Sequence, residues 1–316
     1  MLLRRILRRL AIGVPVVIGA TVLNFILVNA APGSPLNSLV DPEAGPAVRK
    51  QMAARLGLDR PLPLQYLTWL WNAVHGNLGF SYENDRPVVQ DILERLPATL
   101  LLAGTALVLA YVVGIAIGVI AALRPYGRID AASSVVGVLG ISIPSFVLGL
   151  LLIYVFALKL HWLPASGMTT LGTTGSGGLL QHLVLPVVSL AIFDLAIVTR
   201  YTRASMLEVL TEDFIRTANG KGLSATRVVV RHALRNALTP LVTLAGLSLP
   251  SLFGGAVVVE VVFQWPGMGQ LAVNSVLARD YPTLLGLSLV FSILVVIGNL
   301  IADICYTLLN PKVRDD

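Results

Sequence analysis

Charged residues make up only 13% of this 316-residue chain, about half the ~25% of an ordinary soluble domain. So little charge cannot cover a water-facing surface. Cys305 is the only cysteine, which excludes an intrachain disulfide and any cysteine-cluster metal site. The four histidines, His75, His161, His182 and His232, are scattered, and no H-E-x-x-H pair offers a zinc site. Gly140-Ile141-Ser142-Ile143-Pro144 lacks the G-x-S-x-G arrangement of an exposed nucleophile. Gly220-Lys221-Gly222-Leu223-Ser224 lacks both the G-x-x-x-x-G-K-S/T spacing of a phosphate loop and a preceding strand. Catalysis within the chain is not expected, and a nucleotide would have to be bound by another chain.

What is abundant is apolar: 55% of the residues are hydrophobic and the mean hydropathy is +0.80. A bilayer-spanning helix needs ~20 mostly apolar residues. Six stretches qualify: about Leu10 to Ala31, Pro97 to Ala122, Ser133 to Leu158, Leu180 to Arg203, Thr239 to Val262 and Pro282 to Leu308. The expected fold is an all-α, six-span membrane protein. Arg4, Arg5, Arg8 and Arg9 precede the first apolar run, as in a secretory signal, but that run is longer than a 7–15-residue signal core and Val28-Asn29-Ala30 is a poor cleavage site. An uncleaved first span is expected.

The net charge of +6 reports orientation, because the basic residues flank apolar runs and form no dense nucleic-acid patch. With the N-terminus inside, the inside segments hold Arg4, Arg5, Arg8, Arg9, Arg124, Arg128, Lys312 and Arg314. They also hold Arg200, Arg203, Arg216, Lys221, Arg227, Arg231 and Arg235, whereas the two short outside loops hold only Lys159 and Arg279. The positive-inside rule therefore places both termini in the cytoplasm.

Residues 1–31 are then a tail and first span, 32–96 an outer loop, 97–308 a five-span core and 309–316 an inner tail. The outer loop opens with a Pro/Gly break, has helical spacing over Val48 to Leu56 and carries Tyr66, Trp69 and Trp71, which suit a small folded cap at the interface. The Gly/Ser/Thr run from Gly172 to Gly178 reads as a mobile outer loop.

The inner loop at 204–238 is the most informative. Its spacing predicts a helix from Met206 through Phe214, and a turn in which Phe214 and Ala218 share one face while Arg216 points elsewhere. Gly220 and Gly222 end that turn and Ser224 can cap another helix. There Arg227, Arg231 and Arg235 repeat every four residues opposite Val230, Leu234, Ala237 and Leu238. This helix reads either as an interfacial helix snorkelling toward headgroups or as a docking surface for a cytoplasmic partner.

Intramembrane acids are costly and normally face a cavity or partner. Asp194 is the most central and the first candidate for a polar pathway, while Glu260 and Asp303 lie near span ends. Pro144, Pro186 and Pro250 are expected to interrupt spans three, four and five, and with Ser142 complete the pathway candidates. Asp194 and the prolines also fit a secondary transporter driven by protons or sodium. The arginine stripe alone would fit a membrane anchor.

The run Asp213-Phe214-Ile215-Arg216-Thr217-Ala218-Asn219-Gly220-Lys221-Gly222-Leu223, continued by Arg231-His232-Ala233-Leu234-Arg235-Asn236-Ala237-Leu238, resembles the coupling-loop signature of the dipeptide, oligopeptide and nickel ABC importer permeases. In the E-A-A-x-x-x-G motif of ABC importers, Arg216, Thr217 and Ala218 take the first three places and Gly222 the last, so the glycine fits and the acidic first position does not. Leu56 to Pro61, Leu96 to Thr99, Ser142 to Phe146, Leu163 to Gly167, Thr202 to Met206, Gly254 to Gly269 and Arg279 to Pro282 resemble further family landmarks. The long first outer loop resembles the B-type permease. Ser34 and Asn77 stand where aspartate is frequent, and Gly220 where alanine is usual.

The resemblance implies a type I ABC importer permease in the bacterial inner membrane, translocating di- or oligopeptides, with nickel or glutathione as alternative cargo. It implies a second homologous permease, one or two ATPase subunits holding ATP and magnesium, an extracytoplasmic binding protein and no nucleic acid. The ATPase-coupling residues it implies are Glu212, Asp213, Phe214, Arg216, Thr217, Ala218, Lys221, Gly222 and Leu223.

Overall fold

The computed structural model describes residues 2–31, 36, 40, 45–169 and 176–309. The Gly172 to Gly175 run, Ser34, Lys312 and Arg314 lie outside them. Every regular element among the described residues is helical, with one isolated bridge between Phe80 and Pro87. Four helices are long and apolar enough to cross a bilayer: Arg9–Ala30, Val88–Leu123, Gly178–Leu210 and Tyr281–Ile304. A fifth crossing results if the bent pair Arg128–Ser142 and Ser145–Lys159 counts as one. The expected fifth stretch is a 24-residue helix, Thr239–Val262. The chain divides into two compact units, residues 1–99 with 266–297, and residues 100–265 with 298–316.

In the first unit, α1 (Leu2–Ala30) is followed by α2 (Pro46–Leu56) and α3 (Leu62–Val74). Pro46 starts α2, where a missing N–H costs nothing, and Gly57 ends it in the left-handed conformation, φ 69°. The Leu58 N–H then bonds the Ala53 carbonyl at 2.9 Å, closing the turn. Leu78, Val88, Ile92, Met268, Leu271 and Leu287 form the unit's core, with Trp69 against it. They come from the 78–92 segment, from α11 (Met268–Ala278) and from α12 (Tyr281–Leu309). Asp280, 1% exposed, ties the 78–92 segment to α12: it accepts from Ser81 Oγ at 2.5 Å, Tyr82 N at 3.0 Å and Thr283 Oγ1 at 2.7 Å.

In the second unit, the end of α4 (Val88–Leu123) packs on α7 (Ser176–Leu210) through a glycine seam. A Cβ at Gly118 would fall 2.6 Å from Thr202 Cβ and 2.7 Å from the Thr199 carbonyl oxygen, and one at Gly114 2.9 Å from Val198 Cγ1. This is the G-x-x-x-G approach by which membrane helices gain van der Waals contact, and it is written in the sequence at Gly114 and Gly118. Asp130, near the start of α5 (Arg128–Ser142), is 5% exposed and receives Arg203 Nη2 of α7 at 2.8 Å.

The third apolar stretch is not one helix. It divides into α5 and α6 (Ser145–Leu152), and α6 runs on into a π-helical turn, Ile153–Lys159; the two halves meet at 107°. Pro144 has no N–H for the helical ladder and forces Ile143 into an extended conformation, ψ 120°. Ser189 Oγ of α7 donates to the Ser145 carbonyl at 2.6 Å beside the break. Pro186 and Pro250, expected to interrupt spans four and five, instead lie inside unbroken helices, α7 and α10 (Thr239–Val262). Neighbouring helices in a packed bundle supply the contacts that hold a proline-containing helix together.

Candidate functional site

The segment after α7 builds a small platform. α8 (Asp213–Gly220) is followed by α9, the continuous run Ala225–Arg227, Val228–Ala233 and Leu234–Ala237. The anchors of α8 are Ile215 and Ala218, 3% and 5% exposed, three residues apart on one face. They pack with Ala122 of α4, Met206 of α7 and Val228, Ala233 and Ala237 of α9. Phe214 was expected to share that face with Ala218, yet it is 42% exposed. The difference is one of phase: with Ala218 fixed, Ile215 falls under the helix, and Phe214 is rotated by about 100° to its flank.

The central turn of α9 is π-helical, so its buried residues, Val228, Ala233 and Ala237, are spaced by five and then four. That extra residue per turn carries Val230, expected on the apolar face, out to 58% exposure. Arg227, Arg231 and Arg235 are all exposed. Ser224 stands at the N-cap of α9, with no side-chain capping bond.

The end of α8 is fixed by backbone geometry. Lys221 N bonds the Thr217 carbonyl at 3.0 Å and Leu223 N the Ala218 carbonyl at 3.4 Å, while Gly222 turns left-handed at φ 72°. No atom lies within 4 Å of the position a Gly222 Cβ would take, so glycine is required there by conformation and not by space. Glu212 precedes the helix in extended conformation and Asp213 occupies its first turn, where a negative charge complements the helix dipole. Asp213 accepts from Arg216 Nη1 at 3.1 Å and its carbonyl from Thr217 Oγ1 at 3.0 Å. The side chains of Asp213 and Arg216 are 92% and 76% exposed, so this pair adds only ~0.3 kcal/mol.

The result is a knob whose underside is apolar and locked and whose outer surface carries Glu212, Asp213, Phe214, Arg216, Thr217 and Lys221. Leu223 is half-buried against the base. Its exposed face thus sets an aromatic ring among charges of both signs.

The other candidates do not converge on the knob. Ser142 and Pro144 are exposed at the break of α5 and α6. Asp194 is 4% exposed inside the second unit. There the Ser248 hydroxyl of α10 pairs with its carboxyl and with the Tyr111 phenol of α4. Glu260 is fully buried at the end of α10, its carbonyl accepting from Trp265 N at 2.8 Å. The side chain of Pro250 lies outside the described residues. Tyr111 and Ser248, partners of Asp194 on two other helices, carried no sequence signal, since a lone serine or tyrosine in a span is unremarkable until its neighbours are known. Among the described residues no three His, Cys, Asp or Glu side chains gather as a metal site.

Comparisons with known proteins follow the same outline. Residues 114–315 match the family described as binding-protein-dependent transport system inner membrane component, and residues 1–103 its N-terminal counterpart. The chain is 44% identical to the oligopeptide transport system permease protein AppB of Bacillus subtilis over 98% of both chains. It is 41% identical to the glutathione transport system permease protein GsiC of Escherichia coli over 99% of both. Among solved structures, an inward-facing form of the MetNI methionine ABC transporter superposes with a TM-score of 0.56 at 19% identity, covering 69% of this chain and 96% of that one; this likeness speaks for the fold alone. With both matched regions covering nearly its whole length, the chain belongs to the inner-membrane permeases of binding-protein-dependent ABC importers, in their peptide and oligopeptide branch.

Proposed function

We propose that this permease is one half of a peptide translocator, paired with a second, similar permease, and that its short helix α8 is the element on which a separate ATPase acts. Peptides are the favoured cargo because oligopeptide and glutathione systems are named among its relatives. In this reading the chain crosses the membrane six times, α10 supplying the sixth crossing, with both termini inside. An extracytoplasmic binding protein delivers the substrate, and ATP and magnesium are held by the ATPase. The B-type position in the pair follows from the long segment between α1 and α4.

The observation that carries this reading is the knob: Phe214, Arg216 and Lys221 exposed above buried Ile215 and Ala218. A helix seated on the ends of α4 and α7 moves as a rigid body with them. Closure of two ATPases would displace both permeases' knobs and bias the pore between inward- and outward-facing states, a two-state change with nucleotide as its driver. Ser142 and Pro144, exposed at a helix break, fit a wall of the path or of the permease pair, because interrupted backbone at membrane depth is tolerated only against protein or a water-filled cavity. Asp194, Pro250 and Glu260 complete that pathway assignment.

Gly222→Val tests the coupling role, because a β-branched residue in the left-handed turn costs about 1–2 kcal/mol and displaces the end of α8. In the purified complete transporter, ATP hydrolysis stimulated by the loaded binding protein should fall to the unstimulated level while the complex stays assembled. Full stimulation in that variant would remove α8 from the coupling path.

A further inference from the structure

Within the first unit, α2 and α3 enclose a cavity of about 330 Å³ whose chemistry the transport reading does not use. One wall is Asn29, in the last turn of α1, and another is Tyr281 with Pro282, at the first turn of α12. Both belong to helices long enough to cross a bilayer. The cavity therefore lies where hydrocarbon gives way to headgroups, whichever way the chain is inserted.

Several strong hydrogen-bond donors stand among its lining residues. Arg55 in the last turn of α2 and Arg60 just beyond Gly57 line it, and neither makes an ion pair among the described residues. The turn bearing Arg60 is held in place, since Gln65 Nε2 donates to the Arg60 carbonyl at 2.8 Å and the Leu58 carbonyl at 3.3 Å. Trp69 lines the cavity too, and its buried indole N–H has no hydrogen-bond partner among the described residues. The Tyr82 phenol, pushed up to about 12 by burial and by the nearby Asp280 carboxylate, keeps its proton. Asp280 itself is already occupied by Ser81, Tyr82 N and Thr283.

Two free guanidinium groups and a protonated phenol, with no carboxylate in the lining and only the neutral Asn29, Gln65, Thr68 and Asn72 beside them, favour an anion. Arginine forks match the paired oxygens of a phosphate. On α1 beside the cavity, Ile26 and Leu27 are 56% and 59% exposed and offer a track for acyl chains. We propose that this cavity binds the phosphodiester headgroup of an anionic membrane lipid, with Arg55 and Arg60 on the phosphate and Tyr82 donating to the headgroup. A soluble phosphate ester has the same chemistry; the position at the ends of two spanning helices favours the lipid.

The test is lipid retention by the complete, delipidated transporter, read by native mass spectrometry with phosphatidylglycerol and phosphatidylcholine as probes. Wild type should retain phosphatidylglycerol in preference, and each of Arg55→Gln and Arg60→Gln should weaken it about fivefold. Tyr82→Phe, which changes no charge, should weaken it too. If an arginine variant fails to assemble, Arg55→Lys and Arg60→Lys keep the charge, lose the fork and should bind at an intermediate level. Equal retention of both lipids, or unchanged retention in the arginine variants, overturns the site. Loss in the arginine variants with none in Tyr82→Phe reduces it to surface electrostatics and also overturns it. Displacement by equimolar glycerol 3-phosphate would keep the phosphate chemistry but overturn the lipid as its source.

Discussion

Pro144 and Pro186 stand in two neighbouring apolar stretches of the same unit, and only the first breaks its helix. α7 runs unbroken through Pro186, with Leu185 and Val187 buried on either side and 67% of its apolar stretch buried. The stretch around Pro144 is far more open: Val135, Val138, Leu150 and Leu151 are all at least half exposed. A missing N–H is therefore not sufficient to break a span. Where packing encloses the helix on several sides, straightness wins; where one side is open, the chain bends and a hydroxyl from the enclosed helix, Ser189, bonds the carbonyl at the corner.

The sharpest way to upset this contrast is to loosen α7 itself. Arg203→Met removes the guanidinium from the Asp130 carboxylate and leaves only the Tyr126 N–H on it; it should give the largest drop of the series in the thermal midpoint of the detergent-solubilised complex. Gly118→Leu comes next. Its side chain must displace Thr202 and the Thr199 backbone, an overpacking that costs about 1–3 kcal/mol and separates α4 from α7, measurable as a longer distance between spin labels on the two helices. A smaller effect, on the order of 1 kcal/mol, is expected from Pro144→Ala combined with Ser189→Ala. The double variant should relax the 107° bend while Pro144→Ala alone keeps it, as spin labels at Val138 and Leu151 would report. If the single variant already straightens the helix, proline and not packing decides. Least of all, Pro186→Ala should change the thermal midpoint by the equivalent of about 0.5 kcal/mol; a shift comparable to that of Gly118→Leu would mean α7 is strained in a way its burial hides.

The same contrast explains what could be read from the sequence. Long apolar runs announce helices because a bilayer sets a minimum length; α1, α4, α7 and α12 cover the expected runs, α4 beginning earlier, at Val88, and α7 ending later, at Leu210. Prolines carry less information, since a break depends on neighbours that a linear reading does not contain. The segment proposed for coupling stands out through the run Asp213 to Leu223, in which Gly222 marks a required left-handed turn in residue type. Its buried face was misassigned to Phe214 because eight residues, with Phe214, Ile215 and Ala218 all apolar, allow two registers, and only Met206 and Ala122 choose between them. The Asp130–Arg203 pair joins residues 73 apart and left no local signature.

The five-residue step from Val228 to Ala233 has a consequence for how length variation can be absorbed here. A π turn inside an α-helix is the trace of one residue more than the helix needs. Removing Val229, Val230 or His232 would return the turn to α geometry with both buried anchors still beneath it. Removing one elsewhere in α9 would rotate everything beyond it by about 100°. This stretch is the place where the chain can shorten by a residue and still keep Arg227, Arg231 and Arg235 on the exposed face of the helix.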